Sequence, residues 1–263
     1  MTRPHIEFVQ SAAVPVESIT AGPFAGCSAR PLSADEETGA FTSLVTVPQG
    51  WAGSLAGLDR PVELFALKGA LTLGGRRFGV GCHAWVPSGA ADAAAVAAAV
   101  AAGGAAGGAL VLVMVEAPRT PAGGPLEIVD STELPFRDRT LAAVPPGLIV
   151  KPLRVDPETG DRTWIAGVAP GWEEHRAEIH PTVEEAFVLR GDGLLGERGE
   201  LTAGCYFWRP PNVRHGPMVT VGGQLVFFRT KGGGIEVTYE DVPGWKALVD
   251  AYKLKHGLYA GPE

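Results

Sequence analysis

The sequence predicts an all-β protein, built as two tandem jelly-roll β-barrels with a short C-terminal helix. Two observations carry that expectation. Apolar runs are short and are punctuated by 36 glycines and 22 prolines, a pattern of many strands and turns rather than long helices. The chain is also written twice. PLSADEETGAFTSLVTVPQGW at 31–51 returns as PLRVDPETGDRTWIAGVAPGW at 152–172. VELFALKG at 62–69 returns as EEAFVLRG at 184–191, and GCHAWVP at 81–87 as GCYFWRP at 204–210. Even IEFV at 6–9 has a partner in LEIV at 126–129. Pro, Gly and Trp coincide at a nearly constant offset, which is the mark of a duplicated domain. The expected organisation is a first copy over 1–117, a Pro/Gly-rich linker over 118–125 and a second copy over 126–263.

Taken in order, the first copy is expected to form strands at 6–10, 42–47, 62–67, 71–73, 83–86 and 110–115. The second is expected to form them at 164–168, 177–180, 185–189, 206–209 and 225–230. In each copy a D-x-E-T-G turn, opened by Asp35 or Asp156, separates extended segments. Alternation along the strands is imperfect, as it is when both faces of a strand are covered in a closed barrel. One helix is expected at 243–256. Pro243 lies in its first turn, Leu248, Val249 and Tyr252 line one face, and Gly257 follows its end. The uncharged run 93–115 is long enough to span a bilayer, but four glycines interrupt it and its end reads as a buried strand.

Composition narrows the function. Hydrophobic residues at 46% and charged ones at 19% suit a globular protein with a real core. A net charge of −7 and a pI near 5.4 argue against nucleic acid or an anionic membrane surface as partner. Cys27, Cys82 and Cys205 form no C-x-x-C pair, and the first residues contain no apolar leader; both features point to the cytoplasm. The expected partner is a small-molecule substrate, with a homodimer as a further possibility.

The two copies differ where chemistry is expected. His180, Glu184 and His215 lie on neighbouring strand patterns of the second copy, and two imidazoles with a carboxylate can converge on one divalent metal. Their counterparts in the first copy are Leu58 or Asp59, Val62 and Asp92, so that copy reads as a structural partner without ligands. Glu178 shares a strand face with His180 if that strand is regular. It is read first as a fourth ligand, second as an acid/base beside the metal, and otherwise as a salt-bridge partner of Arg176 or Arg209. Arg209 and Arg214 are candidates to hold an anionic substrate, whereas Arg190 reads as a surface residue. Trp51/Trp172 and Trp85/Trp208 occur in both copies, so their shared role is packing.

The order and spacing of these residues resemble the two motifs of the cupin superfamily, G-x5-H-x-H-x3-4-E-x6-G and G-x5-P-x-G-x2-H. His180-x3-Glu184-x6-Gly191 fits the back of the first, and the spacing to Gly191 selects Glu184 over Glu185. Gly204-x5-Pro210-x4-His215 fits the second, with Asn212 where the family has Gly. The first His of H-x-H is replaced by Glu178. The resemblance implies a duplicated (bicupin) protein, similar to acetylacetone-cleaving dioxygenases and anti-sigma-factor cupins. It implies a divalent metal, iron first, with zinc, manganese or nickel as alternatives. Glu178, His180, Glu184 and His215 would be its ligands, and Glu178 and Arg209 the catalytic residues. The expected activity is that of a mononuclear non-haem iron dioxygenase cleaving a diketone- or enol-type substrate. The alternatives are a metal-dependent isomerase, lyase or decarboxylase, or a metal-bound small-molecule sensor.

Overall fold

The computed structural model describes residues 3–90, 96–98, 108–118, 124–138, 147–234 and 236–257. Asp92, the expected counterpart of His215, lies outside them. The chain forms two compact units: Met1–Pro4 with Ser11–Leu134, and His5–Gln10 with Pro135–Glu263. The duplication therefore does not map onto the units in simple chain order. The strand Ile6–Gln10, which opens the first copy, belongs to the second unit and pairs with Cys205–Arg209. Its repeat partner Glu127–Asp130, which opens the second copy, pairs with Cys82–Val86 in the first unit. Each barrel is thus completed by the leading strand of the other copy, and the division between units falls after Leu134 rather than at 118–125.

In the first unit one sheet runs Glu127–Asp130, Cys82–Val86, Val62–Lys68, Ala109–Val115, Phe41–Val47, Ser28–Ala34 and Glu17–Ser18, all antiparallel neighbours. A smaller sheet runs Ala52–Gly53, Val96–Ala98, Ala70–Leu73 and Arg76–Gly79. Val45, Val62, Leu64, Val111 and Val113 alternate inward and, with Phe24, Leu71 and Phe78, make one buried core.

The second unit repeats the main sheet as Ile6–Gln10, Cys205–Arg209, Val183–Leu195, Gln224–Lys231, Arg162–Val168, Leu148–Val155 and Arg137–Asp138. Its interior is filled by Trp164, Ala186, Val188, Phe207 and Phe228, with Trp164 stacked on Phe228 at 4.7 Å between ring centroids. The expected helix is present as Trp245–Lys255, starting two residues later than expected because Pro243 and Gly244 stand before its first turn. Trp245, Val249 and Tyr252 are buried against Leu194 and Val219, and Leu248 packs alongside. The Tyr252 hydroxyl donates to Asp192 Oδ2 at 2.6 Å.

Gly191 explains why the motif ends in glycine. Its φ is +87°, and a Cβ there would lie 1.9 Å from the Gly223 carbonyl oxygen. Its repeat partner Gly69 has φ +71°. Among the described residues no helix is long and apolar enough to cross a membrane.

Candidate metal centre

The trio is assembled by strand register. Glu184 lies one residue into the strand Val183–Leu195, and Thr230 and Arg209 are its cross-strand neighbours on either side. His180 follows the end of the strand Arg176–Ile179. His215 forms a single antiparallel bridge with Glu178: the Glu178 N–H donates to the His215 carbonyl at 2.8 Å, and the His215 N–H to the Glu178 carbonyl at 3.1 Å. The turn before His215 is pinned to the other histidine, because the Asn212 N–H donates to the His180 carbonyl at 2.8 Å. Asn212 has φ 65°, the left-handed conformation that Asn adopts more readily than most residues, which accounts for Asn where the motif has Gly.

One nitrogen or oxygen from each of His180, Glu184 and His215 can be chosen so that all lie within 4.8 Å of one another. Glu184 Oε2 is 3.8 Å from His180 Nε2 and 3.5 Å from His215 Nε2. The two rings meet edge to face at 5.1 Å. Both histidines are buried, and each is held from behind. His180 Nδ1 lies 3.0 Å from the Thr182 carbonyl oxygen and 3.1 Å from the Thr182 hydroxyl; His215 Nδ1 lies 3.0 Å from the Val213 carbonyl. A carbonyl only accepts, so each Nδ1 carries the proton, and in the neutral ring Nε2 keeps its lone pair toward the trio. Such a donor set fits a divalent cation: two borderline nitrogens, one hard oxygen, and ring orientations fixed in advance.

The electrostatics follow from burial and proximity. Burial works against ionisation of Glu184, but His215, His180 and Arg209 outweigh it and hold its carboxyl below the usual range. Burial pushes His215 down to about 4, and Arg209 adds to that. His180 moves the other way: burial disfavours its charged form, but the Glu184 carboxylate more than compensates and raises it.

Glu178 stands beside the trio rather than within its 4.8 Å group. It is half-buried, and burial followed by the charge of Glu184 raises its carboxyl to about 7. Neither arginine considered as its salt-bridge partner reaches it. Arg176 pairs with Glu174 at 2.8 and 2.9 Å. Arg209, 1% exposed, donates from Nη1 to Glu184 Oε2 at 2.8 Å and from Nη2 to Glu7 Oε1 at 3.3 Å, with its guanidinium 3.7 Å from the Phe207 ring centroid. Both terminal nitrogens of Arg209 are therefore committed to protein carboxylates. That arrangement positions Glu184 and differs from the substrate-holding role expected from sequence. Arg214 is a surface partner of Glu240 at 2.7 Å, and Arg190 is exposed. Glu185 faces away from the trio, receiving the Tyr206 hydroxyl at 2.7 Å and Arg229 Nη1 at 2.6 Å.

Three participants escaped the sequence reading. Glu7 comes from the exchanged strand, and only its place in the IEFV/LEIV repeat hinted at a structural role. Thr182 backs His180 from two residues away. Thr230, opposite Glu184 in the sheet, has a buried hydroxyl with no hydrogen-bond partner among the described residues, as does Arg209 Nε.

The model of the family described as "Domain of unknown function (DUF4437)" matches residues 24–234. No curated protein matches the chain. Several solved structures do. One, of a "putative dioxygenase" from Nostoc punctiforme, is 21% identical with a TM-score of 0.73, covering 90% of this chain and 86% of that one. Protein Ylba from E. coli is 16% identical with a TM-score of 0.62, covering 87% and 92%. A mutant of Bacillus subtilis oxalate decarboxylase is 13% identical with a TM-score of 0.55, covering 95% and 84%. At these identities the likeness establishes the fold, and the fold is the cupin jelly roll.

Proposed function

We propose, from the premise that the chain belongs to the DUF4437 family, that it is a metal-dependent bicupin enzyme acting on a small oxygen-bearing organic molecule in its second barrel. The observation that carries this reading is the trio His180, Glu184 and His215, with both histidines buried and each imidazole locked at Nδ1 by a backbone carbonyl. Two His and one carboxylate form the donor set of non-haem Fe(II) oxygenases, which puts iron first and keeps zinc, manganese and nickel as alternatives. When bound, the metal would polarise substrate oxygens as a Lewis acid and, as iron, give access to dioxygen chemistry. The reaction we infer is oxidative cleavage of a diketone- or enol-type substrate.

The chain's own residues supply the rest. Arg209 holds the Glu184 carboxylate in place and is itself held by Glu7. Thr230 offers a hydroxyl on the face that Glu184 presents. Glu178, with a carboxyl raised to about 7, is suited to give or take a proton near neutral pH. The test is oxygen uptake by Fe(II)-loaded protein across a panel of β-diketones. Uptake coupled to loss of one diketone, abolished in Glu184→Ala, is the expected result. Iron-loaded protein that consumes no oxygen with any member would overturn the dioxygenase reading.

Glu178 also favours a second reading, a metal-dependent lyase, isomerase or decarboxylase, because a neighbouring acid/base is what proton-transfer chemistry needs. That reading predicts substrate turnover without oxygen uptake and a limb of the pH–rate profile near 7 that disappears in Glu178→Gln.

A further inference from the structure

The first barrel carries a cavity of about 430 Å³, and its lining includes Val62, the repeat counterpart of Glu184, and Leu58 and Asp59, which stand where the second copy has His180. Strand register makes the comparison direct. In the second barrel Glu184 faces Arg209 on one neighbouring strand and Thr230 on the other. In the first, Val62 faces Val86 and Val115. Every charged or polar group of that set has become valine. A second replacement opens the space. The cross-strand pair Trp164–Phe228, stacked in the second barrel, is the pair Ser43–Val113 in the first. The matching cavity in the second barrel, lined by Val150, Pro152, Arg162 and Trp164, is about 270 Å³. Its counterpart is lined at the equivalent positions by Ala29, Pro31, Phe41 and Ser43.

We propose that the first barrel is a metal-independent binding site for an uncharged, largely apolar small molecule of one or two rings with at most a single hydroxyl or carbonyl. Volume and lining set the class: the cavity falls in the size range of small-ligand sites, and its lining is mainly apolar, including Phe24, Phe41, Val45, Val62 and Val115, with the exposed Glu17 also on it. Ser43, which lines it, makes no side-chain hydrogen bond among the described residues and is available to one polar atom of the ligand. Leu58, Asp59 and Arg60 also line it, close to the repeat counterparts of His180 and Thr182. Arg60 is engaged there by Asp59 at 3.2 Å and by the Gly39 carbonyl at 3.1 Å, so its charge is matched locally and does not call for an anion. Such a site goes beyond the proposed activity: it needs neither the metal nor the second barrel's chemistry.

The experiment is fluorescence titration of the full chain with N-phenyl-1-naphthylamine, a neutral two-ring probe, with and without EDTA. Saturable binding of one probe per chain, unchanged by EDTA, is expected. Ser43→Trp restores the side chain that fills the second barrel and should weaken binding by at least about tenfold while leaving metal content unchanged. If Ser43→Trp does not fold, Ser43→Leu should still weaken the probe measurably, since it occupies part of the same space. No saturable binding by the wild-type chain, binding lost on chelation, or undiminished binding in a folded Ser43 variant would each overturn the proposal.

Discussion

Arg209 is the residue on which the rest of the candidate site leans. It is almost fully buried, and among the described residues its ion-pair partners are Glu184 and Glu7. Removing one partner of a buried ion pair typically costs about 3–5 kcal/mol, because the other charge is left unpaired in low dielectric. Arg209→Ala should lower the unfolding free energy of the metal-free protein by about that much, and Arg209→Lys should recover little, since one ammonium does not span two carboxylates. Denaturant unfolding that barely changes would contradict this role. Glu178 makes a different prediction, with a definite sign. Its carboxyl sits at about 7 in the fold against an ordinary 4.5, so the fold binds the proton more tightly than the unfolded chain does. The associated stability is complete below 4.5 and is lost as pH rises through 7. Glu178→Gln cannot ionise, so in metal-free protein its stability relative to wild type should rise between pH 5 and 8, by on the order of 1 kcal/mol. His215 slopes the opposite way, losing stability as pH falls from 6.5 toward about 4, but it is common to both proteins and cancels in the difference. A pH-independent difference would mean that Glu178 is not buried as a carboxylic acid. At this scale the convergence of His180, Glu184 and His215 was legible because residue spacing is rigid along a strand and turn. Glu7 was illegible, since nothing local to it indicates a neighbour two hundred positions away.

Turns and strand ends make the next scale, and there the repeat is the guide. Asp35 and Asp156 do the same work in the two copies. Asp35 Oδ1 accepts from the N–H groups of Glu37 and Thr38 at 3.1 Å each, and Asp156 Oδ1 from Glu158 and Thr159 at 3.0 and 3.1 Å. Asp156 is also paired with Arg154 at 2.8 Å. Burial opposes its ionisation, but Arg154 and the two backbone donors prevail and hold it at about 2. A depressed carboxyl stabilises the fold above its unfolded value of 3.8, and that contribution fades as pH falls through about 2. Asp156→Ala should therefore cost about 1 kcal/mol at neutral pH and nothing at the acid end of that window, as read by thermal unfolding across pH. An equal cost at both ends would point to packing instead. Strand positions were readable because short apolar runs between glycines and prolines leave little else for the chain to do. The strand Thr238–Asp241 was not foreseen: its sequence TYED has no apolar alternation, and it exists by pairing with Arg176–Ile179. That pairing in turn aligns Glu178 opposite Tyr239, an arrangement set by tertiary context rather than by propensity.

Duplication and divergence organise the whole molecule. Matching Pro, Gly and Trp positions gave away two barrels, but not that each takes its edge strand from the leading segment of the other copy. The reason is physical: IEFV and LEIV share one apolar pattern, so local sequence does not tell which sheet edge each segment joins. Divergence then separates the barrels by chemistry. The charged and polar cross-strand triplet Glu184, Arg209 and Thr230 has valines in its place in the first barrel, at Val62, Val86 and Val115. That divergence leads us to expect a single divalent metal per chain, bound in the second barrel. Metal content of protein purified without chelator, measured for wild type, His180→Ala and His215→Ala by mass spectrometry of the elements, tests it most directly. Close to one metal per wild-type chain and near none in either variant, with all three proteins folded, is the expected result. Close to two per chain, none in wild type after incubation with Fe(II), Zn(II), Mn(II) or Ni(II), or full retention in both variants would contradict it.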